Sequence, residues 1–333
     1  MARLPKVELH LHLDCSLSFR AVAHLAPSIS RAEYDAAFIA PPQCSSLADF
    51  LLRAPRGFQL MQTREALELV TEDLFAQLLA DNVLYAEIRF APLLHLERGL
   101  SPEEVVAAVE RATERCIAAT GIQARIILCT LRHFTPQQSL QTARLVHQFR
   151  GSRVVALDIA GEEAGHSIQA HIPAFQFAVE HGLHRTAHAG EAHGAESVWE
   201  TLRTFKPTRI GHGVRSAEDP TLVEHLRTHR IHLEVCPTSN VQTRCCATYA
   251  AHPIDSLYRS GVGLGISTDT RTITNITLEQ EYASLREHFS WTDADFLACN
   301  REALRAAFLT EAERSRLLAR FIAPPAQDPA PLH

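Results

Sequence analysis

The chain has 333 residues, 46% of them hydrophobic, and a net charge of −6. Such a chain can bury a large core; it lacks the basic stripe of a general nucleic-acid binder and any apolar run near the roughly 18 residues of a membrane span. The first residues lack the basic start and apolar core of a signal peptide, and eight scattered cysteines, such as Cys129 and Cys236 inside apolar segments, read as reduced thiols of a cytoplasmic protein.

The first predicted element is a strand over 6–14. Val7, Leu9, Leu11 and Leu13 alternate with Glu8, His10 and His12, and that alternation puts His10 and His12 on one face. Residues 16–61 read as irregular and helical, with a capped helix start at Ser46. Phe50, Phe58, Leu60 and Met61 suit either a lid over a pocket or plain core packing. Leu67, Val70, Leu74 and Leu78 recur at helical spacing over 63–80. Strands are then predicted over 83–90, 123–129, 154–159, 185–189, 209–212, 232–236 and 262–267. Helices fall between them over 102–120, 136–149, 172–181, 196–205, 222–228 and 253–260. Two further helices are expected over 278–288 and 292–309, and the proline-rich residues 323–333 read as a disordered tail behind a single domain of 1–322. Eight strands alternating with helices predict an α/β fold, a (β/α)8 TIM barrel with additional C-terminal helices. An open doubly wound sheet is the alternative, weakened because no Gly-x-Gly-x-x-Gly follows a strand.

The chemically distinctive residues fall at predicted strand ends: His10 and His12 at the first, His188 at the fifth, His212 at the sixth and Asp269 at the eighth. In a barrel those ends open on one face. Three imidazoles and one carboxylate from this set suit Zn²⁺, with Fe²⁺, Co²⁺ and Ni²⁺ as alternatives, and a bound metal lowers the pKa of its water toward neutrality. Barrel hydrolases with two metals often bridge them by a carboxylated lysine. Lys6 and Lys206 are the only lysines and neither ends a strand, so one metal per chain is expected unless a Glu or Cys bridges. Glu191, three residues after His188, is placed to act as a general acid toward a ring nitrogen. His212, between Gly211 and Gly213, is placed to take a proton from the attacking water or to orient it.

These stretches resemble the adenosine deaminase family. The resemblance is carried by residues 6–14, 84–92, His188-Ala189-Gly190-Glu191, Arg209-Ile210-Gly211-His212-Gly213, Cys236-Pro237-Thr238-Ser239-Asn240 and Ser267-Thr268-Asp269, in the family's order through nearly the whole chain. It implies one zinc ion and hydrolytic removal of the amino group of a 6-aminopurine nucleoside, adenosine or 2′-deoxyadenosine, as ammonia. By the same resemblance His10, His12, His188 and Asp269 ligate zinc, Glu191 protonates N1, and His212 assists the hydroxide. His12, Asp14, Gly161 and Thr270 face the substrate, Gly161 toward N3 and Asp14 near the ribose 5′-hydroxyl. Two positions depart from the family: Cys15 stands where it usually has Gly, and Thr270 where it usually has an Asp contacting N7. A hydroxyl can donate to N7, yet the departures keep a 5′-substituted adenosine such as aminodeoxyfutalosine, or adenine, as alternative substrates. A metal-dependent esterase or amidase and a non-catalytic binding protein are the alternative classes. Glu191 discriminates, since an aromatic amidine needs a proton donor at its ring nitrogen and an ester does not. The expected partner is a small-molecule purine nucleoside, with neither nucleic acid nor membrane.

Overall fold

The computed structural model describes residues 4–321, so the expected tail, 323–333, lies outside the described residues. β1 (Lys6–His12) begins a sheet of eight parallel strands in sequential order: β2 (Val83–Phe90), β3 (Gln123–Leu131), β4 (Val154–Ala160), β5 (His184–Ala189), β6 (Arg209–His212), β7 (His232–Val235) and β8 (Leu264–Ile266). The sheet curls until its edges meet. Past β8, the Asp269 N–H donates to the His10 carbonyl at 3.1 Å, and the His12 N–H donates to the Asp269 carbonyl at 2.8 Å. This is the expected (β/α)8 barrel.

The crossover helices are bounded by chemistry at their ends. The helix Pro102–Thr120 opens on a reciprocal Ser101–Glu104 box with Pro102 in its first turn, and stops at Gly121, whose φ of 74° is left-handed. Thr135 and Gln138 open Pro136–Gln148 in the same way. Val105, Val106, Val109 and Cys116 of the first of these helices join the main core around the strands. Fully burying a side chain of valine size contributes about 1.5–3 kcal/mol.

Three departures from the sequence reading matter for the site. β1 stops at His12, and Leu13–Cys15 turn over the rim in a 3-10 turn closed by Ser16 N–H to the Leu13 carbonyl, so Asp14 sits on a turn. A short helix, Pro237–Gln242, follows β7 directly and carries Ser239 and Asn240. The helix expected over 292–309 ends at Ala306, and another, Glu311–Ala319, begins with a Thr310–Glu313 capping box. Leu317 and Phe321 then pack with Ala303, Leu304 and Ala307 against Val7, Leu9 and Tyr85, covering the start of β1 and β2.

The barrel interior is not an apolar stack. Arg89 Nη1 donates to Asp158 at 2.7 Å and Nη2 to Glu234 at 2.6 Å, while Arg209 Nε donates to the other Glu234 oxygen at 2.7 Å. All four side chains are fully buried. All eight cysteines are free. Among the described residues no helix is long and apolar enough to cross a membrane.

Candidate active site

Each expected metal ligand sits where a strand ends: His10 and His12 at the end of β1, His188 near the end of β5, and Asp269 just past β8. One donor atom from each lies within 4.8 Å of the others. Two of the rings are backed by carboxylates. His10 Nδ1 donates to Glu234 at 2.9 Å and His188 Nδ1 donates to Asp158 at 3.2 Å, which turns both Nε2 lone pairs toward the cluster. His10 Nε2 is buried without a hydrogen-bond partner. His12 Nε2 and His188 Nε2 face each other at 3.2 Å, and Asp269 Oδ1 lies 3.5 Å from both His10 Nε2 and His12 Nε2. Ser239 Oγ donates to the other Asp269 oxygen at 2.7 Å. Lone pairs and a carboxylate aimed at one point repel each other unless a cation sits among them.

The electrostatics agree with that fit. Burial and Arg89 lower the pKa of His10, yet Asp269 and Glu234 hold it above its ordinary value. Negative charge that favours a proton there also favours a metal ion. Burial pushes His12 down to about 3 and lowers His188 as well, leaving neutral imidazoles, the form that ligates. Two local features hold the geometry. Asp269 and His212 have φ of 65° and 58°, left-handed conformations uncommon outside glycine. Gly211 leaves room for both rings, since a Cβ there would lie 2.9 Å from His10 Cε1 and 3.2 Å from His188 Cγ.

Glu191 and His212 form a second group with Asp269 beside the first. Glu191 Oε2 lies 3.6 Å from His212 Nε2. Burial, then the charges of Asp269 and Glu163, raise the Glu191 carboxyl well above its usual value, which favours the protonated acid. Burial lowers His212 well below its usual value. Glu163 builds the turn that carries Glu191. Its carboxylate accepts the N–H groups of Gly190 and Glu191 at 2.9 Å, Ala192 at 2.5 Å and His193 at 3.0 Å, and the Ser197 hydroxyl at 2.5 Å.

A cavity of about 450 Å³ opens over these groups and is also lined by Asp14, Gly161 and Thr270. Asp14 Oδ2 accepts the Ala91 N–H at 3.1 Å, while Asp14 Oδ1 and the Thr270 hydroxyl are buried without partners. Burial opposes ionisation of Asp14, but His95 and His12 outweigh it and hold its carboxyl below the usual range. Gly161 has φ of 102°, a conformation open to glycine. Phe50 and Phe58 line the cavity wall, Phe50 packed with Ala40, Cys44, Leu47 and Ile273, whereas Leu60 and Met61 pack into the main core. Neither lysine lines the cavity: Lys6 Nζ donates to the Asp81 carbonyl at 2.8 Å and pairs with Glu279 at 2.7 Å, and Lys206 caps the end of the helix Ala195–Phe205.

Sequence reasoning missed Arg89, Asp158, Glu163, Glu234 and Asn240. A signal was present for three of them. Arg89, Asp158 and Glu234 interrupt apolar strands, and a charge buried inside a strand must find a partner.

The chain is similar to known proteins over nearly its whole length. The family model described as adenosine deaminase matches residues 5–324. An adenosine deaminase of Lacticaseibacillus paracasei is 36% identical over 95% of this chain and 94% of its own length, and one of Haemophilus ducreyi is 37% identical over 96% of each. The crystal structure of an adenine deaminase from Arthrobacter aurescens superposes with a TM-score of 0.88 at 24% identity, covering 95% of this chain and 98% of that one. A match of this extent, on a barrel whose strand ends converge as described, places the chain in the adenosine deaminase family of hydrolytic deaminases.

Proposed function

We propose that the protein converts adenosine or 2′-deoxyadenosine to the corresponding inosine and ammonia, with one zinc ion per chain held by His10, His12, His188 and Asp269. The observation that carries this reading is the convergence of backed imidazoles and Asp269 next to an acid, Glu191, whose burial favours its proton. Zinc bound by such a donor set makes a water molecule nucleophilic near neutral pH. The protein's own residues do the rest. Glu191 protonates N1 as the water oxygen adds at C6, so that negative charge does not accumulate on the ring. His212 orients the attacking water. Gly161 brings its backbone close to N3, the unpartnered Thr270 hydroxyl donates to N7, and the free Asp14 Oδ1 accepts from the ribose 5′-hydroxyl. One proton of the water restores Glu191 and the other passes to the departing amino group, so collapse at C6 expels ammonia and leaves the 6-oxo product.

Among the described residues the cavity lining contains no Arg or Lys, and it places the Asp14 carboxylate inside. That favours a nucleoside over a nucleotide, whose phosphate would meet a carboxylate with no cation to offset it. The apolar wall of Leu47, Phe50, Leu51 and Phe58, with Cys15 where the family usually has Gly, favours a second reading, a 5′-substituted adenosine. A panel of adenosine, 2′-deoxyadenosine, adenine, adenosine monophosphate and 5′-substituted adenosines, followed by ultraviolet absorbance and ammonia release, tests both. Adenosine should exceed the monophosphate in kcat/KM by at least about tenfold, the effect of about 1.4 kcal/mol. A preference for the monophosphate contradicts the proposal, and a preference for a 5′-substituted compound selects the second reading.

A further inference from the structure

His212 stands among the ligand rings, its centroid 4.7 Å from that of His10 and 5.3 Å from that of His188, yet what lies behind it is different. His10 and His188 each have a carboxylate at Nδ1. His212 Nδ1 has the side chain of Asn240 at 3.1 Å. Which end of that amide faces His212 follows from a chain of hydrogen bonds with a fixed start. The backbone N–H of Ile254, which can only donate, reaches His252 Nδ1 at 3.1 Å. His252 therefore carries its proton on Nε2, and it donates to Asn240 Oδ1 at 3.1 Å. That leaves the Asn240 amino group to face His212, so Nδ1 of His212 accepts. The flipped amide would present an N–H donor to an N–H donor at His252. Asn240 and His252 are fully or nearly fully buried, so water does not offer either a substitute partner.

We propose that His252 and Asn240 are positioning residues that hold neutral His212 with its proton on Nε2, aimed into the site, so that His212 donates a hydrogen bond to the attacking oxygen and is neither a metal ligand nor the acceptor of the water's proton. Two imidazoles backed by carboxylates present lone pairs; one backed by an amide presents an N–H. The arrangement also accounts for a single metal. Glu191, His212 and Asp269 have donor atoms within 4.8 Å of one another, the makings of a second metal site, but His212 Nε2 has no lone pair to give. The inference rests on the proposed site, but its test reads protonation and metal content without substrate, so its failure is separate from failure of deamination.

Long-range proton–nitrogen correlation spectra of ¹⁵N-histidine-labelled protein, zinc-loaded and metal-free, read the tautomer, with His212 assigned by its loss in His212→Gln. The expected result for the parent is a protonated Nε2 and an unprotonated Nδ1; a protonated Nδ1 overturns the proposal. Asn240→Asp replaces the donor with a carboxylate that accepts from both rings, so the tautomer of His212 should reverse. After reconstitution with excess zinc and removal of free metal, Asn240→Asp should then hold about two zinc ions per chain against one in the parent, and Asn240→Asp combined with His212→Gln should return to one. Two zinc ions in the parent, or one in a folded Asn240→Asp variant of reversed tautomer, contradicts the account. If Asn240→Asp does not fold, His252→Phe removes the clamp on the amide, and His212 should then appear as a mixture of tautomers; an unchanged His212 overturns the role of His252.

Discussion

Glu191 is buried beside Asp269 and Glu163, two negative charges that make its own ionisation unfavourable. An acid that keeps its proton suits N1 protonation, so Glu191→Gln should retain metal and fold while losing at least about two orders of magnitude in kcat, the scale of general acid catalysis. Activity within a few-fold of the parent would contradict that role, and loss of metal would make Glu191 a ligand. Thr270 presents a different kind of buried group, a hydroxyl with no hydrogen-bond partner among the described residues. Thr270→Val keeps the shape and removes the donor, which should cost about 1–3 kcal/mol, roughly tenfold to a hundredfold in kcat/KM. A 7-deaza substrate has no acceptor there, so parent and variant should handle it alike; an equal handicap on both substrates would assign Thr270 to packing. At this scale the residues legible in the sequence were those at strand ends, where histidine and carboxylate interrupt an apolar pattern. Asn240 lies in a stretch that carries the family resemblance, but its role depends on the amide orientation, which only the partners on His252 and Ile254 reveal.

The turn from His188 to His193 owes its shape to one side chain. Glu163, from the loop after β4, accepts four successive backbone N–H groups and the Ser197 hydroxyl. Burial alone would raise its carboxyl, but Arg132, Ser197 and the backbone donors outweigh it and hold it below 4.5. A depressed native value means that the contribution to stability is complete above about pH 4.5 and is lost as pH falls through the lower folded value. Glu163→Gln should therefore be destabilised at pH 7 and approach the parent as pH is lowered below 4.5, a trend urea unfolding at a series of pH values measures. A stability gap that widens in acid would contradict the assignment. Its kcat should fall as well, since Glu191 rides on the same turn. The element order was legible because the crossover helices announce themselves with Pro and capping boxes. The helices Pro237–Gln242 and Glu311–Ala319 were not read, although Thr310 and Glu313 form such a box. The first is only six residues long, too short to show a helical period.

At the scale of the molecule, the barrel brings residues 10 and 269 into one ladder, where Asp269 exchanges backbone hydrogen bonds with both His10 and His12. A metal on His10, His12, His188 and Asp269 would tie β1, β5 and the segment after β8 together, so its removal should lower the unfolding midpoint by mass action. The number of strands and their order follow from local pattern and from the right-handed crossover rule. The polar interior around Arg89 does not, because pairing across the barrel joins residues as far apart as Arg89 and Glu234. The central claim, that one metal at this cluster turns over a 6-aminopurine nucleoside, meets its most direct test in a zinc titration of the chelator-stripped protein, with adenosine deamination followed by absorbance. The expected curve rises linearly and breaks at one equivalent of zinc per chain; a break at two equivalents, or no recovery of deamination at any zinc concentration, would contradict the account.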